Sequence, residues 1–493
     1  MDIRPLGLAC LCLLAGCAVG PDYHRPQSAA PRAWPALSGA ARPAGTASAV
    51  STVTQQPFDG HRWWGVFHDA VLDGLIDDAA RQNLNLQIAA SRIAQARAQQ
   101  AAAASALLPS ASLNAGGLRS RFSENGLGAS SGGSGGSGGG AAGQQQESGP
   151  SNTFQYGFDA MWELDLWGKT RRSIEAADAN TEAAIEDRHD ALVSLTAEIA
   201  RAYFALRGAQ AELRITREDL DTQRHILALT RSRSKVGFAS EADVLQVQSR
   251  IAASEATVPQ LEESVEQGYN RLALLLSLPP GALRARLQQP TPLPALPPQV
   301  PAGLPGALLR RRPDIRRSEA QLHAATAQVG VAVAQLFPSV RLGVTGGMQA
   351  SHLSDLHDWA SRFFLLGSMI SVPVFEGGQL KANIRIAKAK NEQALLQYRQ
   401  AVLSAYHDVD DAMIAYAKEQ QRAASLRQQV DYARTALHLR QAQYAQGLAA
   451  FLDVLQAQQD LQQAQLQLAQ STVTTTTDLV ALFKALGGDW SFA

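Results

Sequence analysis

Apolar residues at Leu192, Leu195, Ile199, Ala202 and Leu206 alternate spacings of three and four within an otherwise polar stretch. That is the seam of one helix packed on another. The seam recurs at Val402, Ala405, Val409, Ala412 and Tyr416, each 210 positions later. The decamer Gly237-Phe238-Ala239-Ser240-Glu241-Ala242-Asp243-Val244-Leu245-Gln246 returns at the same offset as Gly447-Leu448-Ala449-Ala450-Phe451-Leu452-Asp453-Val454-Leu455-Gln456. The chain is therefore an internal repeat. Each half predicts the same order: a helix (69–107 and 313–336), two strands, a very long helix, a glycine-centred turn and a returning helix. No Gly or Pro interrupts 379–446. At about 1.5 Å per residue such a helix reaches roughly 100 Å, a rod or tunnel wall rather than a compact domain. Gly237 and Gly447 then mark the tips of two helical hairpins, where a positive φ costs glycine little.

A second pattern has period two. Phe154, Tyr156, Phe158, Ala160, Trp162 and Leu164 alternate with Gln155, Gly157, Asp159, Met161, Glu163 and Asp165. Val340, Leu342 and Val344 alternate with Arg341, Gly343 and Thr345. Weaker strands are expected over 110–122 and 362–375. Strands of about 9–11 residues suffice to cross a bilayer when tilted, one face in lipid and the other in a lumen. A soluble hairpin packed on the helices is the competing reading. Against it, Trp162 and Trp167 bracket the strand end like an interfacial girdle. The halves share Leu107-Leu108-Pro109-Ser110 and Leu336-Phe337-Pro338-Ser339. Residues 126–149, rich in Gly and Ser, read as a flexible insertion at one strand-hairpin tip, outside the cell.

Composition narrows the class. Lys+Arg and Asp+Glu both count 44, a formal charge of zero, which argues against bulk binding to nucleic acid. Cys10, Cys12 and Cys17 are the only cysteines, so no disulfide framework or Cys metal site lies downstream. The apolar run Leu6 to Leu14 is too short to span a bilayer and suits an export signal. Leu14-Ala15-Gly16-Cys17 resembles the bacterial lipoprotein box, which makes Cys17 the expected lipidation site; an ordinary signal with a chance Cys is the alternative. The expected boundaries are 1–16 signal peptide, 17–62 lipid-anchored tether (its Pro/Ala-rich part extended), 63–278 first repeat, 279–305 Pro-rich linker and 306–493 second repeat. With no apolar stretch of about 18 residues downstream, any span must be made by strands.

Four strands cannot close a transmembrane barrel, and an open edge in lipid leaves backbone groups unsatisfied. If these strands span, the chain must oligomerise. Three copies give a 12-stranded β-barrel, wide enough for a channel, and the twofold repeat gives the helices pseudo-sixfold order.

Cys17-Ala18-Val19-Gly20-Pro21-Asp22-Tyr23-His24-Arg25-Pro26, Trp63-Trp64 with Phe67, Asp69 and Leu72, Arg310-Arg311-Arg312-Pro313-Asp314-Ile315 and Ala485-Leu486-Gly487-Gly488-Asp489-Trp490 together resemble the outer-membrane efflux (TolC-like) family, in its lipoprotein branch serving RND-type pumps. The resemblance spans the mature chain. It implies an α+β, mostly α fold: a trimeric β-barrel on a long periplasmic α-helical barrel, in the outer membrane, fed by a periplasmic adaptor and an inner-membrane RND-type transporter. The expected function is a gated exit duct for small molecules such as drugs. A lipid-anchored periplasmic adaptor and a coiled-coil scaffold without a pore are the alternatives.

Gly237 and Gly447, at the hairpin tips, are the expected adaptor contacts; a plain solvated turn is the bland reading. The expected periplasmic gate is Leu452, Asp453 and Gln456, because threefold symmetry turns one carboxylate into a ring and positions three apart share a helix face. Members of the family carry acids at both of the latter positions or at one; Gln456 departs from the first pattern. Tyr444 matches the family's tip Tyr, whereas the occasional tip Arg is Ala449 here. Asp243 is a further gate candidate, although Ser240 three residues earlier also makes a capping box. Asp453 follows Ala450, which has no capping side chain. Trp63-Trp64 are expected to anchor the first helix by packing, and Arg311-Arg312-Pro313-Asp314 to start a helix. Gly168-Lys169-Thr170 lacks the earlier Gly of a phosphate loop, since position 163 is Glu. No catalytic set, metal spacing or cofactor signature stands out, so no enzyme is expected and the one attached group would be the lipid on Cys17.

Overall fold

The computed structural model describes residues 18–27, 31, 33–38, 51–58, 60–121 and 150–491. Cys17, the signal segment and the Gly/Ser insertion at 126–149 lie outside the described residues. The principal elements are β1 (Thr52–Thr54), α1 (Ala70–Gln82), α2 (Leu84–Ser105), β2 (Ser110–Ser120), β3 (Ser151–Leu164), α3 (Lys169–Lys235), α4 (Glu241–Leu275), β4 (Gln299–Pro301), α5 (Pro313–Ala334), β5 (Ser339–Ala350), β6 (Arg362–Ser371), α6 (Gln379–Ala445) and α7 (Phe451–Ala485). α3 and α6 are 67 residues each, and α4 and α7 are 35 each. Every end of the second pair of helices falls 210 positions after its mate in the first, so the repeat read from apolar spacing is a repeat of helix lengths.

One expected element is divided. The helix read across 69–107 breaks at Asn83, whose Oδ1 accepts the N–H groups of Asn85 and Leu86 at 2.9 and 3.1 Å. Its Nδ2 donates to the Leu275 carbonyl at 2.7 Å. Asn83 thus caps α2 through its side chain, a stop that needs neither Gly nor Pro. At the other end, Asp69 caps α1 by accepting from Val71 and Leu72.

The chain forms two compact units, each built from parts of both repeats. The first holds residues up to His24, Arg97–Ala179 and His323–Gln393. Its core element is an antiparallel sheet in the order β2-β3-β5-β6. Pairing of Leu113 with Phe158, Phe158 with Gly346 and Gly346 with Phe364 fixes the register. Directly opposed residues share a face, so one face carries Leu113, Tyr156, Phe158, Trp162, Val344, Phe364, Leu366 and Ile370. The other carries Asn114, Asp159, Glu163, Arg341 and Thr345. On that polar face Asp159 accepts from Asn114 and Thr345, each at 2.7 Å, and Glu163 pairs with Lys169 and Arg341 at 3.0 Å. On the apolar face Leu113 is 80% exposed and Phe364 85%. β6 departs from strict alternation, since Leu365 and Met369 on its other face are also exposed.

The shared Leu-x-Pro-Ser motifs pin this sheet to its helices. Trp162 Nε1 donates to the Leu107 carbonyl at 2.9 Å, and Trp167 Nε1 to that of Pro338 at 2.7 Å. The Trp167 ring also stacks on Phe337, with centroids 4.9 Å apart. The first described residues of the stretch expected as a lipid-anchored tether (17–62) are docked. Val19 N donates to the Trp167 carbonyl, Asp22 pairs with Arg172, and Tyr23 stacks on His323.

The second unit gathers Arg25–Ala96, Asn180–Leu322 and Ala394–Ala493. Here the helix seams are closed: Leu192, Ile199, Ala405 and Val409 are fully buried. Only Ala202 and its mate Ala412 are half-buried. Trp63 and Trp64 are buried as expected, Trp63 stacking on Phe483 at 5.2 Å and Phe67 meeting Phe204 at 4.8 Å. The arginine motif does start α5, and it does more. Arg312 grips Asp314 and Asp408 at 2.7 and 2.9 Å, Arg316 reaches Glu186 at 2.6 Å, and Arg317 reaches Asp187 at 2.7 Å. Trp490 donates its indole N–H to the Arg311 carbonyl and stacks on His189. The two motifs farthest apart in the second repeat therefore meet. Among the described residues no helix is long and apolar enough to cross a membrane.

Candidate functional site

Both hairpins turn by the same backbone device. Gly237 and Gly447 adopt φ of 79° and 75°. The N–H groups of Phe238 and Leu448 reach back to the carbonyls of Arg233 and Gln443 at 2.9 and 2.8 Å. This six-to-one closure is a Schellman turn, and glycine at its left-handed position lets each helix reverse without a Cβ clash. The apolar residue after each glycine stays outside: Phe238 is 83% exposed and Leu448 75%.

Beyond the turns the two hairpins differ. α4 opens with a full capping box: Asp243 N donates to Ser240 Oγ at 3.2 Å, and Ser240 N donates to Asp243 Oδ2 at 2.9 Å. The Asp243 carboxylate is thus occupied by helix-start chemistry. α7 opens with half of that device. Asp453 Oδ2 accepts from the Ala450 N–H at 3.1 Å, and Ala450 offers no side-chain acceptor in return. One Asp453 oxygen remains uncommitted to the cap, and Leu452, Asp453 and Gln456 are all exposed in the single chain. Gln456 Nε2 donates to Asp460 one turn on, at 2.9 Å.

Tyr444, the last aromatic before the second turn, is held on two sides. Phe451 lies 5.5 Å away, ring to ring, and the Arg233 guanidinium sits 4.5 Å from the Tyr444 ring centre. Arg233 belongs to the first hairpin, so a cation–π contact joins the two tips. Arg233 was not singled out from sequence; position 449, where some family members carry a tip Arg, is Ala here.

A buried patch follows. Leu455, 2% exposed, packs with Leu220, Val247 and Ile251 of the first hairpin. Arg250 Nη1 donates to the Leu455 carbonyl at 2.7 Å. Asp219, 5% exposed, accepts from Gln458 at 3.1 Å and from Gln223 at 2.5 Å. Burial pushes the Asp219 carboxyl above the ordinary range, against the pull of those amides and of the nearby Arg250 charge. None of Asp219, Gln223 and Arg250 was singled out from sequence, because polar residues between heptad positions read as a solvated face. The Gly168-Lys169-Thr170 helix start is equally self-sufficient: the Asp165 carboxylate accepts from Thr170 and Arg171 N–H groups, where a phosphate would otherwise bind.

An amphipathic sheet with a bare apolar face, two long helical hairpins and a twofold repeat now stand together. Residues 75–277 and 304–488 match the family described as outer membrane efflux protein. The chain belongs to the outer membrane efflux protein family. Relatives agree along nearly its full length. The pyoverdine export outer membrane protein OpmQ of Pseudomonas putida is 32% identical, covering 92% of this chain and 94% of its own. The solvent efflux pump outer membrane protein SrpC, also of Pseudomonas putida, is 30% identical over 100% of this chain and 99% of its own. Among solved structures, the outer-membrane channel OprN is 35% identical with a TM-score of 0.85, covering 96% of this chain and 100% of that one. The Campylobacter jejuni CmeC channel, at 22% identity and a TM-score of 0.81, shares the fold. This efflux protein is accordingly an outer-membrane channel component, and its TolC-like fold is that of its structural neighbours.

Proposed function

We propose that three copies of this chain close a 12-stranded barrel in the outer membrane and form the exit duct of a tripartite pump. The observation that carries the reading is the open four-stranded sheet. Its apolar face is exposed, its opposite face carries the hydrogen-bonded Asn114, Asp159, Glu163, Arg341 and Thr345, and β2 and β6 each pair on one side only. Such edges are satisfied in lipid when neighbouring copies supply the next strand. The chain supplies a conduit and no chemistry of its own; energy enters through an inner-membrane RND-type transporter. A periplasmic adaptor docks at the tips around Gly237 and Gly447, where Phe238 and Leu448 offer apolar contact. A lipid on Cys17 supplements the barrel's own hold on the membrane. The cargo is small organic molecules, the class to which pyoverdine and solvents in the names of OpmQ and SrpC belong. The gate is the exposed opening of α7, with Leu452 as an apolar constriction, Asp453 as a carboxylate ring and Gln456 one turn behind. Tyr444 holds the turn from which it springs, and Asp243 stands as the capped counterpart in the first repeat.

The test is conductance of the purified full-length protein in planar bilayers, beside gel migration of the unheated and heated protein. A heat-sensitive trimer with a small, cation-preferring conductance is expected. Serine at 452, 453 and 456 together should raise the conductance and remove block by multivalent cations, since clustered carboxylates attract them. A monomer without conductance overturns the duct, and a triple variant that conducts like its parent overturns the gate.

A further inference from the structure

The polar face of the four-stranded sheet is not polar throughout. Asp159 opposes Thr345, which opposes Leu365; Glu163 opposes Arg341, which opposes Met369. Between these two rows, Met161 opposes Gly343, which opposes Gly367. Met161, Leu365 and Met369 therefore share the face of the charged residues, and each is more than half exposed. A barrel closed as proposed above turns this face to the lumen. It adds strands at the β2 and β6 edges and leaves the face uncovered. Lipid contact accounts for the apolar side chains of the other face and does not account for these.

The glycines between them are equally unexplained by strand packing. Gly157 and Gly347, opposed in the row beyond Asp159, are forced: a Cβ on either would strike the backbone of the neighbouring strand. Gly343 and Gly367 are uncrowded. A Cβ on either meets nothing within 4 Å, and neither has a positive φ. Glycine weakens a strand, and its usual reasons there are a bulge, a bend or the close approach of another group. The register runs unbroken through both positions, so no bulge interrupts the strands there. At the foot of the same face, just beyond Met369, Ser371 joins Glu163, Lys169 and Arg341 in lining a cavity of about 210 Å³.

We infer that this face carries a way-station for planar aromatic solutes passing through the barrel. The ring lies flat on Gly343 and Gly367, with the thioethers of Met161 and Met369 and the Leu365 side chain at its rim. Its zwitterionic or polar substituent reaches the cavity, where the Lys169–Glu163–Arg341 ion pairs present both signs of charge. The inference rests on the barrel reading and names a class of cargo that the duct favours. Glycine supplies flatness, since any Cβ would hold the ring off the sheet. Methionine supplies soft contact to a ring edge. Leu365 and Met369 lie on one strand with about 13 Å between their Cα atoms, which admits one ring system between their side chains. A station in a conduit must release its occupant, so a dissociation constant on the order of 1 mM suits it.

The test uses the full-length protein in phosphatidylcholine nanodiscs and two zwitterions with the same head. Free phenylalanine has a planar ring; β-cyclohexylalanine has a puckered and more hydrophobic one. Transverse relaxation of the ring protons, in excess of that with empty nanodiscs, reads weak binding. Phenylalanine is expected to show at least about threefold more excess relaxation than β-cyclohexylalanine, whereas simple hydrophobic attraction gives the reverse order. Gly343→Leu and Gly367→Leu fill the floor and should each lower the phenylalanine signal about threefold or more. Leu365→Asn combined with Met369→Asn removes the rim and should lower it similarly. That double variant keeps both glycines, so it carries the test if Gly343→Leu or Gly367→Leu prevents folding. Equal signals from the two zwitterions, or a preference for phenylalanine that survives all of these substitutions, overturn the station. Conductance and heat-sensitive trimer migration of the same preparations report the duct separately. A conducting trimer without the preference keeps the duct and loses the station. A preference abolished by the substitutions, in a protein that does not conduct, keeps the ring site and overturns the duct. Absence of both removes both.

Discussion

The two hairpins of this channel have equal arms and identical turns, yet only one of them is gripped by the other. In the first, Ser240 and Asp243 finish the helix start locally, and α4 leaves Leu245 in the open. In the second, Ala450 leaves the start of α7 half-capped, and long-range contacts to Leu220, Val247, Ile251 and Arg250 complete it. A self-sufficient helix start keeps its position when neighbours move. One finished by neighbours follows them.

Breaking the apolar seat should show the contrast most strongly. Leu455→Ala is expected to cost about 2–4 kcal/mol of local protection at the start of α7, because it leaves a cavity in a closed cluster. Leu245→Ala should stay within about 0.5 kcal/mol at the start of α4. Hydrogen exchange of the corresponding peptides reads both values, and equal losses would erase the asymmetry. Exchanging the caps is the next test. Ser240→Ala should loosen α4 by about 1 kcal/mol, whereas Ala450→Ser should firm α7 by a similar amount and slow opening. Exchange rates that move in neither hairpin would mean that the tips are fixed by something other than their caps. The smallest effect is expected from Arg233→Leu, an exposed cation–π contact of about 0.5–1 kcal/mol. Chymotryptic cleavage after Tyr444 should become a few times faster, while Gln443→Leu, at the mate of Arg233, leaves it unchanged.

Most of the architecture was legible in the sequence because long helices and strands announce themselves by period, and Gly237 and Gly447 punctuate them. The strand alternation Phe154 to Leu164 predicted which residues share a face, and pairing with β5 carried that face across the sheet. What escaped is chemistry that depends on distant partners. Asn83 stops a helix through a side-chain bond that composition does not flag. Arg312 looked like part of a helix start until Asp408 came beside it, and Arg316, which meets Glu186, was not singled out at all. At the site, Leu452, Asp453 and Gln456 were expected from the repeat, their spacing and the family resemblance, and the structure leaves all three exposed in the single chain. Arg250 and Asp219 were not, because a polar residue on a long helix gives no sign of whether water or another helix will face it.

The matched arms carry a consequence for how such a duct changes size. Leu455 is seated against Val247 and Ile251, so the two hairpins are indexed to each other like the scales of a vernier. Seven residues removed from one arm would slide that index by roughly 10 Å, about two turns, and lift Leu455 from its seat. Length is therefore inherited jointly: a shorter or longer tunnel requires the same heptads to be gained or lost in both halves of the gene.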